Sequence, residues 1–122
     1  MKNYYLGIGC RRGTDFNDIN NAVTAVLAKN NMSFEDIKKV VSVDLKSDEI
    51  GLLEFIKKYN YPSSFFSSKQ LNEIEVPNPS NMVKSKIGIN SVSEASAILA
   101  SINKKLVVEK QKLGNLTIAI AT

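Results

Sequence analysis

A chain of 122 residues with 43% hydrophobic and 23% charged residues has the balance of one globular domain, long enough to bury a core without disulfides or metals. No run approaches 18 consecutive apolar residues, which excludes a membrane-spanning helix, and the lone Cys10 excludes an internal disulfide. The absence of histidine excludes Ser-His-Asp and Cys-His catalysis and zinc sites built on His, and a net charge of +4 carried by scattered lysines does not build a nucleic-acid surface.

The first strand is expected over Tyr4–Ile8. Alternation puts Tyr4, Leu6 and Ile8 on one face and Tyr5, Gly7 and Gly9 on the other, so the second face admits a helix or a ligand at close range. Thr14 or Asp15 then caps a helix running to about Asn30, with Phe16, Ile19, Val23, Val26 and Leu27 at helical spacing. Ser33 and Asp36 form a capping-box pattern before one short helical turn. Val40–Val43 is a β-branched run, read as a strand buried on both faces. Asp44–Glu49 follows as a loop and helix start whose acidic residues suit the helix dipole. That helix carries Ile50, Leu53, Ile56 and Tyr59 until Pro62 closes the unit.

Ser64–Phe66 reads as a third strand, with Ser67 or Ser68 capping a short helix after it. Val76-Pro77-Asn78-Pro79-Ser80 is extended and stiff, and Ser80 caps a helix that stops at Gly88. Ser91 and Glu94 form a capping box opening a helix with Val92, Ala95, Ile98, Leu99 and Ile102 inward. Leu106–Lys112 and Leu116–Ala121 flank Gly114-Asn115 as a hairpin, so the last pair is antiparallel. No repeat or linker interrupts residues 1–122, read as a single domain. The pattern predicts an α/β fold: a mostly parallel mixed sheet of about five strands with helices on both faces. Ligands of such sheets bind beyond the carboxyl ends of the strands, which puts residues 9–14 and 44–49 on one rim.

The chain's two arginines are adjacent, in Gly9-Cys10-Arg11-Arg12-Gly13-Thr14. A guanidinium grips a carboxylate or phosphate with two parallel bonds, whereas lysine is a mobile point charge. Two of them in one glycine-flanked loop before a helix point to an anion-binding loop. The other reading is a tight strand-to-helix turn with its arginines in solvent or paired to nearby carboxylates. The glycines of residues 7–13 are spaced G-x-G-x-x-x-G, one position too long for a dinucleotide fingerprint, and G-K-[ST] is missing, which counts against a nucleotide-binding domain. Cys10 sits beside two cations at a helix start, which favours thiolate; the plainer reading is a small residue closing a strand. Asp44, Lys46, Asp48 and Glu49 at the end of the second strand could supply a base and an electrostatic clamp, or simply cap the helix. Lys110 and Lys112 share one face of their strand and Glu109 and Gln111 the other, either as a charged edge or as further positive charge for a site.

These segments, in order and over nearly the whole chain, resemble the C-terminal domain of the CbiG family, the cobalt-precorrin-5A hydrolases of anaerobic cobalamin synthesis, and equally its stand-alone form CobE. The resemblance rests on Gly7–Thr14, on Asp44–Glu49 with Gly51-Leu52-Leu53, and on Phe65-Phe66-Ser67. Val76–Ser80, Ser91–Ala95 and Lys110-Gln111-Lys112 continue it. The sequence departs from the family at Ile50 and Glu109, where proline is common, and it starts within a few residues of the domain, as expected of either a stand-alone member or a domain excised from a longer CbiG protein. The resemblance implies an anionic corrin or precorrin as substrate, with many acetate and propionate arms, and a reaction that opens a ring-extended lactone and releases acetaldehyde. Substrate binding is expected at Gly9, Cys10, Arg11, Arg12, Gly13, Thr14, Asp48, Glu49, Ser91, Lys110 and Lys112; residue type and placement alone suggest Asp44 as the group that orients water and Lys46 as the one that offsets oxyanion charge. No cofactor or metal is implied. Expected partners are the corrin itself and the remaining CbiG domains or other pathway enzymes, without nucleic acid or membrane. The start of the sequence lacks a cleavage site, and a cytoplasmic setting is expected. A second function class remains beside the hydrolase: a non-catalytic corrin-binding or complex-forming accessory module.

Overall fold

A computed structural model describes residues 3–77 and 91–122. Strands β1 (Tyr4–Cys10), β2 (Ile37–Val43), β3 (Ser63–Phe66), β4 (Leu106–Leu113) and β5 (Leu116–Ala121) form one sheet in the order β3-β2-β1-β5-β4. The first three pair in parallel, and β5 lies antiparallel to both β1 and β4. This is the expected mixed α/β sheet, with its closing hairpin inserted next to β1. The expected helix after Ser80, and most of the stiff stretch before it, lie outside the described residues.

The alternation of β1 decides which helices cover which face. Leu6, Ile8 and Cys10 point to one side, aligned with Ile120, Ile118 and Leu116 of β5. Helices α1 (Phe16–Lys29) and α2 (Ile50–Tyr59) cover that side with Ile19, Val23, Val26, Leu52 and Phe55. The other side holds a smaller apolar group of Val43, Leu71, Val92 and Ala95, covered by α3 (Ser68–Asn72) and α4 (Val92–Ala100). There the glycines of β1 matter. A methyl on Gly7 would meet the Ser93 carbonyl oxygen at 2.0 Å, and one on Gly9 would meet Thr117 Oγ1 at 2.7 Å and Val92 Cβ at 3.4 Å. The close neighbour of the small face is therefore helix α4.

Two expected helix faces differ from those observed. In α2 the buried positions are Gly51, Leu52, Phe55 and Ile56, while Ile50 is 72% exposed and Leu53 39% exposed. The segment carries two overlapping apolar stripes. Close approach of the two helix starts selects between them, because a Cβ on Gly51 would lie 2.2 Å from the Thr14 carbonyl oxygen. In α4 the N-terminal residues Val92–Ala97 are all buried, whereas the helix stops at Ala100 and leaves Ile102 exposed beyond it. Along β4 the pairing shifts between Val108 and Gln111. The extra residue interrupts the simple alternation expected for Glu109–Lys112. The Lys110 N–H at this irregularity is taken by the buried Glu94 carboxylate, 2.9 Å away. No helix among the described residues is long and apolar enough to cross a membrane.

Candidate functional site

β1 and β2 are parallel neighbours, so the loops that follow them leave the sheet on the same rim. The loop after β1 is held by its own backbone. Arg11 donates its N–H to the Asn115 carbonyl of the hairpin turn at 3.1 Å. Its carbonyl accepts the Thr14 N–H at 3.2 Å and the Thr14 hydroxyl at 2.7 Å. Gly13 turns the chain with φ 80°, a left-handed value that glycine adopts without strain. Asp15 then caps α1, accepting the Asp18 N–H at 2.8 Å.

The loop after β2 opens with a 3-10 turn, Asp44–Lys46, and reaches α2 through Ser47, Asp48 and Glu49. It grips the first loop at four points. Arg12 Nη1 donates to Asp48 Oδ1 at 2.7 Å and to Glu49 Oε2 at 3.3 Å, and Nη2 donates to the Leu45 carbonyl at 3.0 Å. Glu49 Oε1 accepts the Gly13 N–H at 2.8 Å. Glu49 is only 5% exposed, so its carboxylate exchanges water for these two donors. Glu49→Ala is expected to lower stability by about 1.5–3 kcal/mol, the range for a hydrogen bond to a charged group, read from urea denaturation midpoints.

The guanidinium of Arg12 holds the Asp48 carboxyl below its usual range, through the hydrogen bond first and its charge second. The pair is exposed, so it fixes geometry more than it adds stability. Because the folded-state pKa is depressed, the attachment is complete above the ordinary aspartate value of 3.8 and is lost as pH falls through the lowered one. Carboxyl-carbon NMR should show Asp48 titrating below 3.8 and returning there in Arg12→Met. A midpoint unmoved by that substitution would show that the pair is not formed in solution.

The remaining expected residues fall into three groups. Arg11 is exposed, and among the described residues its guanidinium has no hydrogen-bond or ion-pair partner. Asp44 is likewise exposed with no side-chain partner among the described residues, and Lys46 is half-buried. Gly9, Cys10 and Ser91 are packing and capping positions in this structure: Ser91 is buried and its hydroxyl accepts the Glu94 N–H at 3.4 Å. Lys112 stands near the hairpin turn that holds Arg11, opposite Thr117 on β5, and Lys110 lies two residues farther from the turn.

Of the two readings of Cys10, the structure supports the plainer one, a small residue closing a strand, and not the thiolate. Burial pushes its thiol up, against the lowering charge of Lys46; Glu49 raises it further and Arg12 pulls it down. The loop cations are near, but the side chain turns into the core with Leu6 and Ile8, where charge is costly. Sequence reasoning also missed an open cleft of about 360 Å³ between the starts of α1 and α2. Its walls include Arg12 and Ile50 with four carboxylates, Asp15, Asp48, Glu49 and Glu54. The signal that could have located it is Gly51, a glycine in the first turn of a helix, where only a close neighbour explains its use. Among the described residues, no group of three or more acidic or cysteine side chains is arranged to hold a metal.

Against this geometry stand the comparisons. The family model described as "Cobalamin synthesis G C-terminus" matches residues 4–121. A cobalt-precorrin-5A hydrolase of Priestia megaterium is 37% identical over 116 residues, covering 95% of this chain and 31% of that protein. Protein CobE of a Sinorhizobium species is 27% identical over 119 residues, covering 95% of this chain and 77% of that protein. The crystal structure of CobE, a protein from the cobalamin (vitamin B12) biosynthetic pathway, matches with a TM-score of 0.89 at 26% identity, over 96% of this chain and 87% of that one. The chain thus spans about a third of the hydrolase it matches and most of CobE.

Proposed function

This chain belongs to the cobalamin synthesis G C-terminal family, and from that premise we propose that it binds a polycarboxylate corrin intermediate on the rim of its sheet and contributes to lactone hydrolysis of cobalt-precorrin-5A. The observation that carries the reading is the match of residues 4–121 to that family. The rim supports it chemically. Arg11 and Lys46 stand on it, with Lys112 near the adjoining hairpin turn, and corrin precursors present acetate and propionate arms that such cations receive. In this reading Asp44, open to solvent just after β2, orients the water, and Lys46, two residues on, offsets the oxyanion charge.

The hydrolytic step adds water to the lactone carbonyl. The acyl C–O bond breaks and leaves the carboxylic acid and the alcohol on one ring-opened molecule, whose alcohol-bearing carbon then departs with its methyl as acetaldehyde. Asp44 takes the proton from the attacking water and gives it to the departing alkoxide. The remaining domains of a CbiG protein are the proposed partners, in a cytoplasmic setting. The test is acetaldehyde release from cobalt-precorrin-5A, measured for this chain alone and with the upstream part of a CbiG protein. Release by the chain alone makes it the hydrolytic domain. Tetrapyrrole binding without release in either mixture leaves it an accessory corrin-binding module.

A further inference from the structure

We propose that the two adjacent arginines have divided roles: Arg11 takes a carboxylate of the tetrapyrrole, while Arg12, Glu49 and Thr14 are positioning residues that hold its loop still. The proposal rests on the corrin-binding reading above and assigns the residues that perform it.

Four observations carry it. First, the backbone of Arg11 is fixed at both polar groups, its N–H to Asn115 and its carbonyl to the buried Thr14, while its guanidinium has no partner among the described residues. A side chain on an anchored backbone loses less freedom on binding. Second, Arg12 already donates to three acceptors, the carboxylates of Asp48 and Glu49 and the Leu45 carbonyl. A ligand reaching for it must displace groups that are held in place. Third, the cleft beside Arg12 sets four carboxylates against this one guanidinium, a field that repels a polycarboxylate. Arg11 is not part of that wall. Fourth, Glu49 is almost fully buried and joins both Gly13 N–H and Arg12, so one carboxylate clamps the loop at the two residues after Arg11.

The probe is uroporphyrin, a water-soluble polycarboxylate tetrapyrrole, titrated by its Soret absorbance at several salt concentrations, with Tm measured for each variant. Arg11→Ala is expected to weaken binding about ten- to a hundredfold and to lose part of its salt dependence, with Tm moving by less than about 4 °C. Arg11→Lys recovers only part of the affinity, because it lacks the planar fork. Glu49→Gln keeps an acceptor for Gly13 but drops the charge on Arg12. Its binding weakens several-fold while the salt dependence stays that of the wild type, which is the signature of a residue that positions without touching the ligand. Wild-type affinity in Arg11→Ala overturns the division of roles and leaves corrin binding standing. So does an Arg12→Ala variant that loses affinity and salt dependence as fully as Arg11→Ala at unchanged Tm. No uroporphyrin binding by the wild-type protein overturns both the division and the reading beneath it.

Discussion

Gly7→Ala should lower the melting temperature far below that of the wild type. The added methyl would sit 2.0 Å from the Ser93 carbonyl oxygen and 2.9 Å from its carbon. Both are backbone atoms of α4, so no rotamer change relieves the overlap. The helix must retreat by about 1 Å, and it cannot do so freely, since Val92 and Ala95 pack with Val43 and Leu71 on the same face. Retreat also pulls Glu94 from the Lys110 N–H and loses that hydrogen bond. The expected cost is about 3 kcal/mol or more, at the upper end of overpacking effects. Thermal unfolding followed by circular dichroism measures it. Gly13→Ala is the control: nothing lies within 4 Å of that position, so it bears only the strain of φ 80°, about 1 kcal/mol. Equal Tm values for the two variants would refute the packing argument.

Asp44→Asn should reduce acetaldehyde release from cobalt-precorrin-5A by about 10²–10⁴-fold, the usual contribution of a general base. The substitution keeps size and hydrogen-bonding shape. At an exposed position with no side-chain partner among the described residues, it should leave stability unchanged. Binding of the tetrapyrrole should stay within a few-fold of wild type, because the cations of the rim are untouched. The effect therefore falls on kcat, as expected for a group that acts in the transition state. Turnover at the wild-type rate would remove Asp44 from the mechanism.

Much of this architecture was legible in the chain because it is written locally. The two-residue alternation of β1, the caps at Asp15, Ser67 and Ser91, and the Gly114 turn each announce themselves within a few positions. The rim followed from parallel strands and needed no contact information. What escaped depends on residues far apart in sequence. The glycine face of β1 was open to either a helix or a ligand, and only the path of α4 decides. Arg12 and Asp48 are 36 positions apart, so pattern alone could not separate a tethered arginine from a free one. The two apolar stripes of α2 are equally regular, and the contact of Gly51 with the start of α1 chooses between them. At Cys10 the neighbouring cations argued for thiolate, while burial supplied by distant strands and helices outweighed them.

The placement of β5 has a consequence for synthesis. The loop bearing Arg11 is fastened to Asn115, about a hundred residues later, and β1 gains its second neighbour only from β5. While the ribosome is still making the middle of the chain, β1 has one unpaired edge and Leu6 and Ile8 lack their partners Ile120 and Ile118. The nascent protein is therefore a template for unwanted strand pairing until the hairpin emerges, and chaperones should engage it in that interval.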